Sequence, residues 1–236
     1  MGLSSKESGI AERVALMCAS ALFAGLTPQE CTEIASCSSA RNFVRDQMLF
    51  MQGQPVRNLV LIEAGAVKLT QLSPSGNEVI LWMNKAGETL GVPHEAPACN
   101  HTCSARAMEQ CKAVTWEFSR LQSLLTEYPQ IRRNIIRIQT DRLRELEERF
   151  REVASEKVAQ RVALALLRLV GQVGRSVPEG SEVGLSREEL AQITGTTLFT
   201  ISRLLSRWAE DGFVLPRREA VIVRDPRGLR LVGCEE

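Results

Sequence analysis

The chain has 236 residues, of which 44% are hydrophobic and 24% charged, with a formal net charge of +1. That length favours two modest domains over one large core, and the near-neutral total excludes a uniformly basic nucleic-acid coat, so any DNA contact must come from a local cluster. No apolar stretch is long enough to cross a bilayer, and the start lacks the sections of a signal peptide. A cytoplasmic protein without membrane contact is therefore expected, with its seven cysteines read as thiols or metal ligands rather than a disulfide frame.

In chain order, the first predicted element is a helix over residues 27–36, with Thr27 as N-cap, Pro28 at the first helical position and Glu30 at the third. Residues 42–118 break into short apolar runs such as Leu59-Val60-Leu61-Ile62 and Val79-Ile80-Leu81-Trp82, separated by Gly65 and by Ser73-Pro74-Ser75-Gly76-Asn77. Closely spaced short strands of this kind read as an antiparallel sandwich or barrel. From Tyr128 to Ala154 no Gly follows and Pro129 stands only at the opening, so one long helix is predicted. Ile131, Ile135 and Ile138 give a stripe that Leu143, Leu146, Phe150 and Val153 continue between charged flanks, which reads as an intermolecular coiled-coil seam.

The remainder reads as a helix over residues 158–170, a Gly-, Ser- and Pro-rich loop over 171–184, two short helices, and a hairpin of Phe213-Val214-Leu215 with Ala220-Val221-Ile222-Val223. Ser186 and Glu189 form a capping box, Leu190, Ala191 and Ile193 supply an inner face, and Gly195 permits a sharp turn. Thr196 and Thr197 are capping types for a second helix, in which Ile201, Leu204, Leu205 and Trp208 share a buried side. Thr197, Phe199, Ser202 and Arg203 remain near its exposed N-terminal part, where groove-entering helices read bases. Arg203 suits bidentate reading of guanine, Thr197 and Ser202 suit phosphate contacts, and Phe199 could pack on a thymine methyl. Arg207, Arg217 and Arg218 add phosphate neutralisation. The sum is an α+β protein ending in a winged helix-turn-helix.

Leu190-Ala191-Gln192-Ile193-Thr194-Gly195-Thr196-Thr197 and Thr200-Ile201-Ser202-Arg203-Leu204-Leu205, with Gly53, Gly65, Gly76, Gly87-Glu88, Gly91 and Ser104-Ala105, resemble the CRP/FNR family of bacterial transcription regulators over nearly the whole chain. The resemblance implies an N-terminal cyclic-nucleotide-binding-like β-barrel of jelly-roll form over residues 1–126, a dimerisation helix over 127–154 and a DNA-binding domain over 155–236. It further implies a homodimer on a palindromic site in double-stranded DNA, and RNA polymerase as a partner. Its effector pocket would fall on Gly91, Val92, Cys103, Ser104, Leu143 and Leu146.

The chain departs from that pattern in several places. Phe199 stands where the family's recognition helix usually has Glu. Val92 replaces the Glu that holds ribose, Cys103-Ser104 replaces the phosphate-binding Arg-Ser, and Leu146-Glu147 replaces the adenine-contacting Thr-Ser. Without that Arg an anionic cyclic phosphate loses its main charge-assisted partner, so cyclic AMP is not the expected effector. Cys18, Cys31 and Cys37 do not match the closely spaced N-terminal cluster ligands of oxygen-sensing members, and Trp116 takes the position of their barrel cysteine.

His94, Cys99, His101, Cys103 and Cys111 remain as candidate metal ligands for zinc or an iron–sulfur cluster, or as redox thiols. Haem enters through the resemblance, because haem-sensing relatives use a His near this cassette. The reading preferred to all of these is that no cofactor is held and that Cys103 and Cys111 simply fill strand positions. Three functions stay open: a regulator controlled by an effector or redox signal, a thiol- or haem-based enzyme with a DNA-binding appendage, and a constitutive DNA-binding protein with an empty barrel. The first is preferred, since no nucleophile–base pair or phosphate loop is visible.

Overall fold

The computed structural model describes residues 5–74, 76–91 and 100–232. They form two compact units, one drawn from Met1–Leu69 and Asn84–Arg144, the other from Thr70–Met83 and Glu145–Glu236.

The first unit opens with α1 (Ser5–Ala19), a 3-10 turn (Ala21–Phe23) and α2 (Pro28–Ser36). The sequence reading contains no counterpart of α1, although Ile10, Val14 and Met17 recur at helical spacing and pack on the core. The capping box of α2 forms as expected: the Thr27 amide donates to Glu30 Oε2 at 2.7 Å, and the Glu30 amide donates to Thr27 Oγ1 at 3.3 Å.

Eight strands follow in chain order, with the end of β4 and most of β5 falling in the second unit: β1 (Ser39–Phe43), β2 (Met48–Phe50), β3 (Asn58–Ala64), β4 (Ala66–Leu72), β5 (Glu78–Lys85), β6 (Thr89–Leu90), β7 (Ser104–Ala107) and β8 (Cys111–Glu117). They make two four-stranded sheets, ordered β1-β8-β3-β6 and β2-β7-β4-β5. That interleaving is a jelly roll. Gly65 turns β3 into β4 at φ 87°, where a Cβ would stand 2.6 Å from the Gln110 carbonyl oxygen.

Side chains alternate across the first sheet, so Leu59, Leu61, Val114 and Trp116 face one way, into a helical layer with Met17, Cys31, Ile34, Leu121, Leu124 and Ile131. Trp116 Nε1 donates to the Ile34 carbonyl at 2.9 Å, satisfying the one polar atom its burial would otherwise strand. After β8 come α3 (Phe118–Glu127), for which the sequence predicts no element, and α4 (Pro129–Ser155). Asn134 of α4 donates to the carbonyls of Leu22 and Ala24, both at 2.9 Å, pinning its first half to the 3-10 turn.

The second unit contains α5 (Val158–Val173), β9 (Arg175–Val177), β10 (Gly180–Val183), α6 (Arg187–Thr194), α7 (Leu198–Glu210), β11 (Val214–Pro216), β12 (Val221–Val223) and α8 (Pro226–Val232). The loop expected over 171–184 is instead a hairpin of β9 and β10, and it joins the wing in a four-stranded sheet ordered β11-β12-β10-β9. Its turn residues hid two short strands, of which β10 pairs with β12 some forty residues on and β9 pairs with β10. Gly180 is required there: at φ 144° a Cβ would run into the Val223 carbonyl. No helix among the described residues is long and apolar enough to cross a membrane.

Candidate functional site

Helix α6 is capped by Ser186, whose Oγ accepts from the Glu189 amide at 3.1 Å while the Ser186 amide donates to Glu189 Oε2 at 2.8 Å. It ends at Gly195, which takes the left-handed conformation at φ 61° and lets the chain reverse. Thr197 then caps α7, accepting from the Thr200 amide at 3.2 Å. Ile201, Leu205 and Trp208 are buried and Leu204 is half-buried. The opposite side carries Phe199, 77% exposed, with Arg203 and Arg207 also exposed. Ser202, Thr200 and Thr196 are half-buried at the edges of that face.

The wing brings two of the expected cations to its turn, where the Arg217 amide donates to the Ala220 carbonyl at 2.8 Å. Arg218 is exposed. Arg217 differs, because its guanidinium pairs with Glu179 at 3.1 Å and Glu182 at 3.7 Å on the neighbouring hairpin. Its role in the free protein is thus to tie the wing to β9 and β10.

Helix α4 corrects the expected seam. Ile131 is fully buried inside its own chain, and Ile135 and Ile138 pack against the same cluster. The step from Ile138 to Leu143 is five residues, which turns the isoleucine stripe to the other side of the helix. The exposed line runs instead through Ile136 (62%), Leu143 (56%), Leu146 (44%), Phe150 (74%) and Val153 (56%), at spacings of seven, three, four and three. That is heptad periodicity, and Ile136 is the member the sequence reading missed. Beside Ile136 and Leu143, α3 and α4 frame a groove of about 860 Å3.

The expected effector cassette is partly described. Gly91 has φ 67°, and a Cβ there would stand 2.6 Å from the Asn58 carbonyl oxygen, so only glycine fits. Ser104 Oγ accepts from the Gln52 amide at 3.0 Å, and Cys103 is half-buried. Val92 lies outside the described residues. Arg142 of α4, not foreseen from the sequence, donates to the Thr89 carbonyl at 3.2 Å, and its charge acts on the Cys103 thiol. A guanidinium therefore reaches the cassette from the helix although the loop supplies none.

Comparison with known proteins bears on the two ends separately. Residues 40–128 match the family profile "Cyclic nucleotide-binding domain", and residues 160–232 match "Crp-like helix-turn-helix domain". The chain belongs to the CRP/FNR family of DNA-binding transcription regulators. It is 25% identical over 210 residues to the "CRP-like cAMP-activated global transcriptional regulator" of Mycobacterium tuberculosis, covering 88% of this chain and 94% of that protein. It is 25% identical over 191 residues to "Electron transport regulator A" of Shewanella oneidensis, covering 80% and 76% respectively. Among solved structures, the c-di-GMP responsive global regulator CLP of Xanthomonas campestris superposes with a TM-score of 0.73 at 22% identity, covering 84% of this chain and 99% of that one. Family members bind DNA and act as dimers, and these relatives are transcription regulators rather than enzymes.

In this CRP/FNR regulator the candidate metal ligands do not converge among the described residues, where no three His, Cys, Asp or Glu side chains come together as a metal site needs. His94 and Cys99 lie outside the described residues. Cys111 is buried on β8 and its thiol donates to the carbonyls of Ala66 at 3.1 Å and Glu109 at 3.3 Å. His101 is buried and stacked on Phe50, ring centroids 3.7 Å apart. Burial raises the thiols of Cys103 and Cys111, and burial with the neighbouring Cys18 pushes Cys31 up to about 12. Thiolates, the reactive and metal-binding form, are disfavoured at all three.

Proposed function

We propose that the chain acts as a homodimer whose two α7 helices enter successive major grooves of a palindromic DNA site, under control of a signal other than cyclic AMP at the N-terminal barrel. The observation that carries this reading is the division of α7 into a face buried by Ile201, Leu205 and Trp208 and an exposed face holding Phe199 and Arg203. Arg203 reads a base edge, Ser202 and Thr197 hold phosphate, and Thr196, Thr200, Arg207 and Arg218 complete the contact. Arg217 joins them only by leaving Glu179 and Glu182.

The functional division into residues 1–126, 127–154 and 155–236 follows from this reading, with RNA polymerase as the protein partner. Dimer formation rests on the exposed heptad line of α4, too apolar to stand in water unpartnered. The effector differs from cyclic AMP because Cys103 stands where a loop arginine would grip phosphate, and Arg142 approaches from a different direction. The raised Cys31, Cys103 and Cys111 thiols speak against these three as the reactive thiolates of a redox signal or a thiol-based enzyme.

Selection of bound sequences from a random DNA pool, followed by anisotropy titrations, tests this. Arg203→Ala is expected to cost about 1–3 kcal/mol per half-site and to relax preference at one base position. Undiminished discrimination by that variant would remove Arg203 as the reader.

A further inference from the structure

A second cavity lies in the barrel beside the cassette. On β3 and β8 the residues Leu59, Leu61, Val114 and Trp116 belong to the helical layer, so Val60 and Thr115, which pair across the strands, face the barrel interior. There they border a cavity of about 290 Å3. That volume is near the lower end of those that hold organic ligands. Neither Gly91, Cys103 nor Ser104 lines it.

The walls are of two kinds. Phe43, Phe50 and Val60 give an apolar side. Arg41 and Arg57 give two guanidiniums, both exposed, and neither pairs with a carboxylate among the described residues. His101 closes the remaining side, only 9% exposed, stacked on Phe50 within 7° of parallel. Its imidazole makes no side-chain hydrogen bond among the described residues, and its nitrogens are not among the buried polar atoms left without a partner, so they stay open to the cavity. Burial lowers its pKa and keeps it neutral, able to donate at one nitrogen and accept at the other.

Two cations at the rim without a carboxylate partner among the described residues, an aromatic stack and a neutral imidazole open to the cavity suit a molecule with an anionic end and a flat apolar body. We propose that this cavity binds a small aromatic carboxylate of one or two rings, its carboxylate held by Arg41 and Arg57 and its ring lying toward Phe50 and His101. Planar carboxylates match the guanidinium fork better than a single point charge does. The site also touches the cassette: a Cβ on Gly91 would lie 3.5 Å from His101 Cε1, so an occupant that shifts His101 presses on the effector loop.

The chain contains two histidines, so its imidazole spectrum is simple and His94→Asn assigns the His101 cross-peak. Benzoate, salicylate and indole-3-acetate are titrated by calorimetry and NMR, with benzyl alcohol, inorganic phosphate and cyclic AMP as comparators. At least one carboxylate should bind about tenfold or more tightly than benzyl alcohol and move the His101 cross-peak. Arg41→Gln with Arg57→Gln should weaken it by about tenfold or more while leaving the melting temperature and DNA binding of the ligand-free protein unchanged. Equal binding of benzyl alcohol or equal competition by phosphate overturns the proposal, as does an unchanged affinity in the double variant. Displacement of the carboxylate by cyclic AMP would put it in the cassette instead and overturn it equally.

Discussion

The two ends of the chain follow the family pattern to different depths. In the C-terminal unit the reading helix is capped by Thr197, preceded by a left-handed Gly195, and differs from the pattern at one exposed position, Phe199. In the N-terminal unit the frame persists, with a jelly roll and a cassette glycine, while Cys103-Ser104 stands where the resemblance implies a phosphate-binding Arg-Ser. A helix-turn-helix needs its caps and buried face whatever sequence it reads, whereas a barrel keeps its strands whatever it binds. The frame therefore identifies both units, and only the facing side chains speak about specificity.

The largest test of that contrast uses the two buried tryptophans, one per unit. Trp116 is 1% exposed and Trp208 is 2% exposed. Replacing either by Ala is expected to cost about 3–5 kcal/mol. Urea unfolding followed by hydrogen exchange should show Trp208→Ala loosening α5 to α8 and Trp116→Ala loosening the barrel and its helices. Loss of protection spread evenly over both units in each variant would refute their independence.

Next in size is the helix that runs through both. Leu143→Glu with Phe150→Glu strips the exposed heptad line of apolar burial, about 1.5–3 kcal/mol for each side chain in each protomer. Monomers are expected by sedimentation, with circular dichroism unchanged because both positions are solvent-facing in one chain. Ile138→Glu should behave in the opposite way, disturbing the fold before the assembly, since Ile138 packs on the intrachain core. Dimers that survive the first change and fail with the second would restore the isoleucine stripe as the seam.

These cases indicate what was legible beforehand. The capping boxes at Thr27 and Ser186 and the turn at Gly195 depend on neighbours three or four residues away, so their signals lie within one glance along the chain. The α4 seam was legible in kind but not in register, because Ile131 and Ile136 look alike until α2 and β8 claim one of them. The hairpin of β9 and β10 was hidden for a similar reason: its strands are three and four residues long, and β10 is held by the distant β12. Arg142 and the Arg41–Arg57–His101 grouping arise from segments far apart in sequence, and no local pattern announces them.

A smaller effect should follow from Phe199→Glu, which puts an acceptor where the family usually carries one. Glu can accept from the cytosine N4 amino group, so preference at one half-site position should move toward C·G by about 1–3 kcal/mol. Repeating the DNA selection with this variant reads the change directly. A selected site identical to that of the parent would mean that position 199 does not face the base edges, although it is 77% exposed.

The smallest expected effect separates the units by pH. Both histidines, His94 and His101, lie in the N-terminal half, and the C-terminal unit has none. Burial holds the folded-state pKa of His101 below its ordinary value of 6.5. The unfolded chain therefore takes up the proton first, so the stability contributed by a neutral His101 is complete above pH 6.5 and declines as pH falls from there toward the folded pKa. His101→Phe keeps the stack on Phe50 and removes the titrating group, so it should flatten the slope of barrel stability in that window while leaving α5 to α8 unaffected. Should the slope persist in the variant, protonation at another group in the barrel unit is responsible, and His101 is already solvated well enough to carry its charge when folded.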